Sequence, residues 1–98
     1  MSNPRLSQKE AIILDLLSHN GEMYGLEMVS ATDQLARGTV YVTLARMAEK
    51  GYVQSWLDTA PAPPGPARRI YRVTGYGLKV LRGYELLRTL TANELVYG

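Results

Sequence analysis

The chain has no cysteine and a single histidine in its 98 residues. Without cysteine there is no disulfide framework, no thiolate nucleophile and no Cys-ligated zinc, so the usual staples of a small secreted scaffold are excluded. The longest uninterrupted aliphatic run, Ala11 to Leu14, falls far short of the roughly 18 residues of a membrane span. Met1-Ser2-Asn3-Pro4 offers neither the basic nor the apolar region of a secretory leader, so a cytoplasmic location with no membrane partner is expected. The histidine, His19, sits beside Asn20-Gly21 at the end of a predicted helix, where a cation-compatible residue is ordinary. No metal-ligand cluster, Ser/His/Asp order or phosphate-cradling glycine loop accompanies it. No catalytic residue, metal or cofactor is therefore expected, and an enzyme is the weakest of the function classes.

A chain this short, with 46% hydrophobic residues, closes one modest core, so a single domain over residues 1–98 is expected. Its stability must come from packing, helped by a partner subunit. The formal net charge of +2 says little, but its distribution is uneven. Residues 1–66 carry five bases and seven acids, for −2, whereas residues 67–98 carry six bases and two acids, for +4. A basic patch in the last third suits nucleic acid, although solvated Lys and Arg on a helix are the commoner source of such a run.

Ser7 and Glu10 have the spacing of a capping box and open the first predicted helix, with Leu6 folding back onto Ala11 as a staple. Ile13, Leu16 and Leu17 line one face, and Ile12 and Leu14 widen the stripe. Two explanations stay open: a well-buried central helix, or one shared between the core and a dimer interface. Asn20-Gly21 ends the helix, because glycine takes the left-handed conformation without a steric penalty. A short second helix is expected from Tyr24 to Thr32, burying Leu26, Val29 and Ala31. Asp33-Gln34-Leu35 forms the turn into a third helix from about Arg37 to Lys50, stopped by Gly51.

The period then changes to alternation. Tyr52 to Leu57 and Arg69 to Val73 read as two strands. The stretch Asp58 to Pro66 between them contains four prolines and must be a hairpin tip, since proline has no donor for a ladder. Thr74 is a plausible N-cap for a last helix carrying Leu78, Leu81, Tyr84 and Leu87. The order α-α-α-β-β-α makes the fold class mainly α with a small β-hairpin, a winged helix-turn-helix.

Along the third helix, at roughly 100° per residue, Val40, Leu44, Met47 and Ala48 share a core face. Thr39, Val42, Thr43, Arg46, Glu49 and Lys50 fall on the far side, roughly 180° to 300° from Val40. In a major groove that side presents hydroxyl, methyl and guanidinium groups to base edges, with Thr43 and Arg46 as the readers. Glu49 would repel phosphate and must sit at the rim or pair with an arginine. Gly38 and Thr39 at the helix start suit an anion, although ordinary helix initiation explains them equally. Tyr41 lies at the flank, where a phenol can cover apolar surface and still reach a phosphate oxygen.

The run Arg37-Gly38-Thr39-Val40-Tyr41-Val42-Thr43-Leu44-Ala45-Arg46-Met47-Ala48-Glu49-Lys50-Gly51-Tyr52-Val53 resembles the recognition-helix signature of PadR-like transcriptional regulators. Met23-Tyr24-Gly25-Leu26-Glu27 upstream continues the likeness. Downstream, Pro64-Gly65-Pro66-Ala67-Arg68-Arg69-Ile70-Tyr71-Arg72-Val73-Thr74-x-x-Gly77 is similar to the family's wing and the start of its final helix. The blocks keep the family's order from Leu6 to Thr89. Two features depart from the pattern: Ala36 stands where a capping Ser is usual, and the proline-rich tip is stiff.

The resemblance implies a dimeric DNA-binding repressor. It matches Thr39, Tyr41, Thr43 and Arg46 to the DNA-contacting helix, and Arg68 and Arg69 to basic wing residues. It also implies dimerisation through C-terminal helices. Residues 74–98 are then expected to form the final helix and a short tail, with Ile12, Ile13, Leu16, Leu17, Leu81, Tyr84 and Leu87 at the interface. A flat aromatic effector at that interface is a further candidate partner, with Trp56, Tyr84 and Tyr97 as aromatic side chains to consider.

The expected function is a sequence-specific regulator binding double-stranded DNA as a homodimer on a pseudo-palindromic operator, with Gly38, Thr39, Tyr41, Val42, Thr43, Arg46, Lys50, Arg68 and Arg69 at the interface. The alternative is a winged-helix protein-interaction module, which the weak net charge and Glu49 favour slightly.

Overall fold

The computed structural model describes residues 5–58 and 68–97. The elements are α1 (Gln8–Asn20), β1 (Glu22–Tyr24), α2 (Gly25–Ala31), α3 (Arg37–Glu49), β2 (Val53–Asp58), β3 (Arg68–Val73) and α4 (Gly75–Tyr97). Local chemistry sets several of these boundaries. At the start of α1 the Glu10 N–H donates to Ser7 Oγ at 3.1 Å and the Ser7 N–H donates to Glu10 Oε1 at 2.9 Å, closing the capping box. Gly21 and Gly51 have φ of +83° and +82°, the region where an L side chain is strained, and they end α1 and α3. Thr74 caps α4 by accepting the Gly77 N–H at 2.9 Å.

The sheet has three antiparallel strands in the order β1-β3-β2, one more than the sequence pattern suggested. Glu22-Met23-Tyr24 is too short to show a period. It is a strand because the free edge of β3 supplies partners, with Met23 opposite Tyr71 and Tyr24 opposite Ile70. Asp58, expected in the hairpin tip, is the last residue of β2 and stands opposite Arg68. The proline-rich tip itself, residues 59–67, lies outside the described residues.

The core gathers Ile13, Leu14 and Leu17 of α1, Met28 of α2, Val40, Leu44 and Met47 of α3, Tyr52, Val53 and Tyr71 around the sheet, and Leu81 of α4. Leu6 packs against its edge. Three residues expected at a dimer interface, Ile13, Leu17 and Leu81, are thus taken up by the chain's own core, at 0%, 0% and 5% exposed. Ile12, Leu16 and Tyr84 are partly buried, and Leu87 is exposed. Leu26 is exposed, contrary to the sequence expectation. It lies two residues before the buried Met28, roughly 200° around a short helix. Ala31, at the helix end, is exposed too.

The last helix exceeds its expected length. Residues 91–97, read as a short tail, continue α4 to Tyr97, because no proline or glycine interrupts the run before Gly98. Among the described residues no helix is long and apolar enough to cross a membrane.

Candidate nucleic-acid interface

The third helix has two sharply different faces. Val40, Leu44 and Met47 are no more than 1% exposed, whereas Val42 is 54% exposed on the opposite side. Gly38, Thr39, Arg46 and Glu49 are exposed as well, and Thr43 is half-buried. The Thr43 hydroxyl donates to the Thr39 carbonyl at 3.1 Å, so its donor is held by the helix itself while the methyl group and oxygen lone pairs remain for other contacts. Ala36 provides no side-chain cap at the start of α3. Among the described residues, no atom beyond the helix's own backbone lies within 4 Å of where a Cβ on Gly38 would stand.

Tyr41 is 46% exposed and its ring lies against the backbone of Gly25 at the start of α2. Burial raises the Tyr71 phenol above its ordinary pKa; Arg69 opposes that rise, and Tyr41 adds to it. Arg69 is exposed and donates from Nη1 to Ser55 Oγ at 3.1 Å. Tyr41 thus stands at the flank of α3, and Arg69, braced by Ser55, stands on the wing, two groups suited to phosphate oxygens. Gly25 and Ser55 were not singled out in the sequence; Gly25 lay within a quoted motif, but its contact with Tyr41 joins residues 16 positions apart.

Arg68 is not part of that grouping. Successive strand residues point to opposite sides of a sheet, so Arg68 shares a face with Ile70 and Arg72, and Arg69 with the buried Tyr71. The Arg68 guanidinium lies 4.4 Å from the Tyr24 ring centroid, and the Tyr24 hydroxyl donates to the Asp58 carboxylate. That hydrogen bond, with burial and the Asp58 charge behind it, raises the Tyr24 pKa. On the same face Arg72 lies 5.7 Å from the Trp56 ring centroid and donates to Gln54 at 3.3 Å. Trp56 is 36% exposed, on the outer side of the sheet rather than in the core.

Lys50 also departs from the expected row. Its ammonium pairs with Glu10 Oε2 at 2.9 Å, away from the base-reading positions. His19 is exposed, and its Nδ1 donates to the Asp15 carbonyl at 2.8 Å. Among the described residues no group of three or more His, Cys, Asp or Glu could hold a metal.

No curated protein matches the sequence. The model of the transcriptional regulator PadR-like family matches residues 13–83. Among solved structures, a PadR-like transcription factor from Bacteroides fragilis superposes with a TM-score of 0.78 at 22% identity, covering 90% of this chain and 86% of that one. A PadR-like transcriptional regulator from Bacillus cereus gives 0.68 at 27% identity, covering 91% of each chain. A transcriptional regulator from Clostridium thermocellum gives 0.72 at 27% identity, covering 90% of this chain and 89% of that one. The family match runs from inside α1 through α3 and the sheet to the first half of α4. The chain therefore belongs to the PadR-like family of transcriptional regulators, DNA-binding proteins and not enzymes.

Proposed function

We propose that the chain is a cytoplasmic, sequence-specific repressor that binds a pseudo-palindromic operator as a homodimer. The observation that carries this reading is the outer face of α3, with exposed Thr39, Val42 and Arg46 and half-buried Thr43 set against a fully buried inner face and flanked by Tyr41. Thr43 and Arg46 discriminate between base pairs, and Val42 offers methyl contact to thymine. Gly38, Tyr41 and Arg69 hold the backbone. In a two-fold dimer the two α3 helices would enter successive major grooves about 34 Å apart.

The dimer surface in this reading is the outward side of α4. Leu86, Leu87 and Leu90 are 60%, 67% and 50% exposed, an apolar strip that favours burial against another chain. Partly buried Tyr84 lies beside Leu86 and Leu87, with Ile12 on its other side. Residues 1–98 then act as one winged helix-turn-helix unit, with residues 74–98 serving dimerisation. A groove of about 620 Å³ lined by Leu6, Val80, Tyr84, Leu86 and Leu87, with Arg5 and Lys79 also in its walls, is the place for a flat aromatic effector. Trp56 is not among its walls.

Selection of bound duplexes from a random DNA pool, with sedimentation of the protein alone and with the recovered duplex, tests the reading. A palindromic consensus bound by two chains is expected. Flow-through on a heparin column at low salt, with no duplex enriched, would overturn it in favour of a protein-interaction module.

A further inference from the structure

Glu10 is the buried charged residue of the core among the described residues, 6% exposed. Its two carboxylate oxygens do different work. Oε1 accepts the Ser7 N–H at 2.9 Å and so belongs to the cap of α1. Oε2 accepts the Lys50 ammonium at 2.9 Å, 40 residues away in sequence, at the C-cap of α3. Such a pair is satisfied only while both ends of it stay in place, because removing either partner leaves a buried or half-buried charge without compensation.

The surroundings make this a fixed point for the recognition helix. The Lys50 N–H donates to the Arg46 carbonyl at 3.0 Å, and the Tyr52 N–H to the Met47 carbonyl at 2.9 Å, closing the helix end around the lysine. The Lys50 ammonium lies 5.7 Å from the centroid of the buried Tyr52 ring, which packs at 5.6 Å on Tyr76 in the first turns of α4. The N-terminal end of α3 has no side-chain cap. Beyond its packed inner face, the helix is therefore tied by polar side-chain contact at its C-terminal end, to the first turn of α1.

We propose that Glu10 is a positioning residue for DNA binding, which acts through Lys50 to set the angle of α3 against α1. The ammonium of Lys50 serves the chain's own carboxylate and is not a phosphate ligand. The role rests on the reading of α3 as the helix that meets DNA. It assigns a contribution to binding to a residue on a different helix that is turned away from the outward face.

The test compares wild type with Lys50→Met, Lys50→Arg, Glu10→Gln and the Glu10→Gln/Lys50→Met double variant. Binding is read by fluorescence anisotropy on a duplex recovered from a random pool by the wild-type protein, and on a scrambled duplex, across a salt series. Lys50→Met and Glu10→Gln should each weaken binding to the recovered duplex by roughly two- to thirtyfold, with the double variant no weaker than the weaker single. The slope of log K against log salt should stay as in wild type, and Lys50→Arg should restore most of the affinity. A slope flattened by about 0.9 in Lys50→Met would make the lysine a phosphate ligand and overturn the role, as would wild-type affinity in both single variants. Should Glu10→Gln not fold, the Lys50→Met and Lys50→Arg pair decides alone. A wild-type protein that binds neither duplex would overturn the reading of α3 and this role with it, whereas failure confined to the variants overturns only this role.

Discussion

The ring of Tyr41 lies in the space that a side chain at position 25 would need. A Cβ on Gly25 would stand 2.7 Å from Tyr41 Cε1, well inside contact distance. Gly25 opens α2 and Tyr41 lies in the first turns of α3, so the close approach of the two helix starts fixes where the phenol rests. Gly25→Ala should push the ring outward and weaken DNA binding about as much as Tyr41→Ala does. The double variant should be no worse than either single, since both remove the same placement. Additive losses in a binding titration would separate the two residues.

Two glycines of α4 should behave in opposite ways. A Cβ on Gly77 would meet the Tyr52 carbonyl oxygen at 2.2 Å, a backbone atom that also accepts from Thr74 Oγ1 at 3.1 Å. Gly77→Ala should destabilise the fold by about 1–3 kcal/mol or more through forced displacement of α4. Among the described residues, nothing beyond the helix's own backbone lies within 4 Å of a Cβ on Gly83, so Gly83→Ala should stabilise the isolated chain by roughly 0.5–1 kcal/mol, the helix-interior penalty of glycine. Urea unfolding midpoints check both signs.

Arg46 and Arg69 should divide affinity and discrimination between them. Arg46 stands exposed on the outward face of α3, and Arg69 is braced by Ser55 on the wing. Arg46→Ala should narrow the gap between operator and random DNA by about 1–3 kcal/mol. Arg69→Ala should weaken binding to both and reduce the salt slope by about one phosphate contact. Salt titrations on the two duplexes would reject this division if both variants lost equally everywhere.

Acid should attack the Glu10 contact. Burial pushes the Glu10 carboxyl up, but the Ser7 N–H and the Lys50 ammonium outweigh it and hold the pKa below the usual glutamate value. With the folded-state pKa depressed, the contribution is present above the unfolded-state value and is lost as pH falls through the folded-state one. Denaturation midpoints should therefore decline as pH falls below the usual glutamate range and through the depressed folded-state value. The decline should be shallower in Glu10→Gln, which has no carboxyl to protonate. An unchanged acid limb in that variant would remove Glu10 from the explanation.

Much of the scaffold was legible along the chain because its signals are local. Ser7 and Glu10 are three residues apart, Gly21 and Gly51 each follow a helix directly, and the faces of α3 repeat within a few residues. Even the outward position of Val42 followed from its angle to Val40. The separation of Arg68 from Arg69 was available in principle, since neighbours on a strand must point apart; treating them as one basic pair overlooked that alternation. β1 was not legible, because three residues carry no period and the strand depends on an edge formed nearly 50 residues later.

By itself the sequence determined where α1 and α3 begin and stop, where α4 begins, which side of α3 is apolar, and the run of motifs that marks the family. Those properties follow from capping, glycine conformation and helical period, all settled within a few residues. Only the tertiary structure decided that Lys50 turns to Glu10, that Arg68 lies over Tyr24, and that Ile13, Leu17 and Leu81 are enclosed while Leu86 and Leu90 stay exposed. Each of these is a choice among partners brought together by packing, and no local pattern ranks residues that are dozens of positions apart.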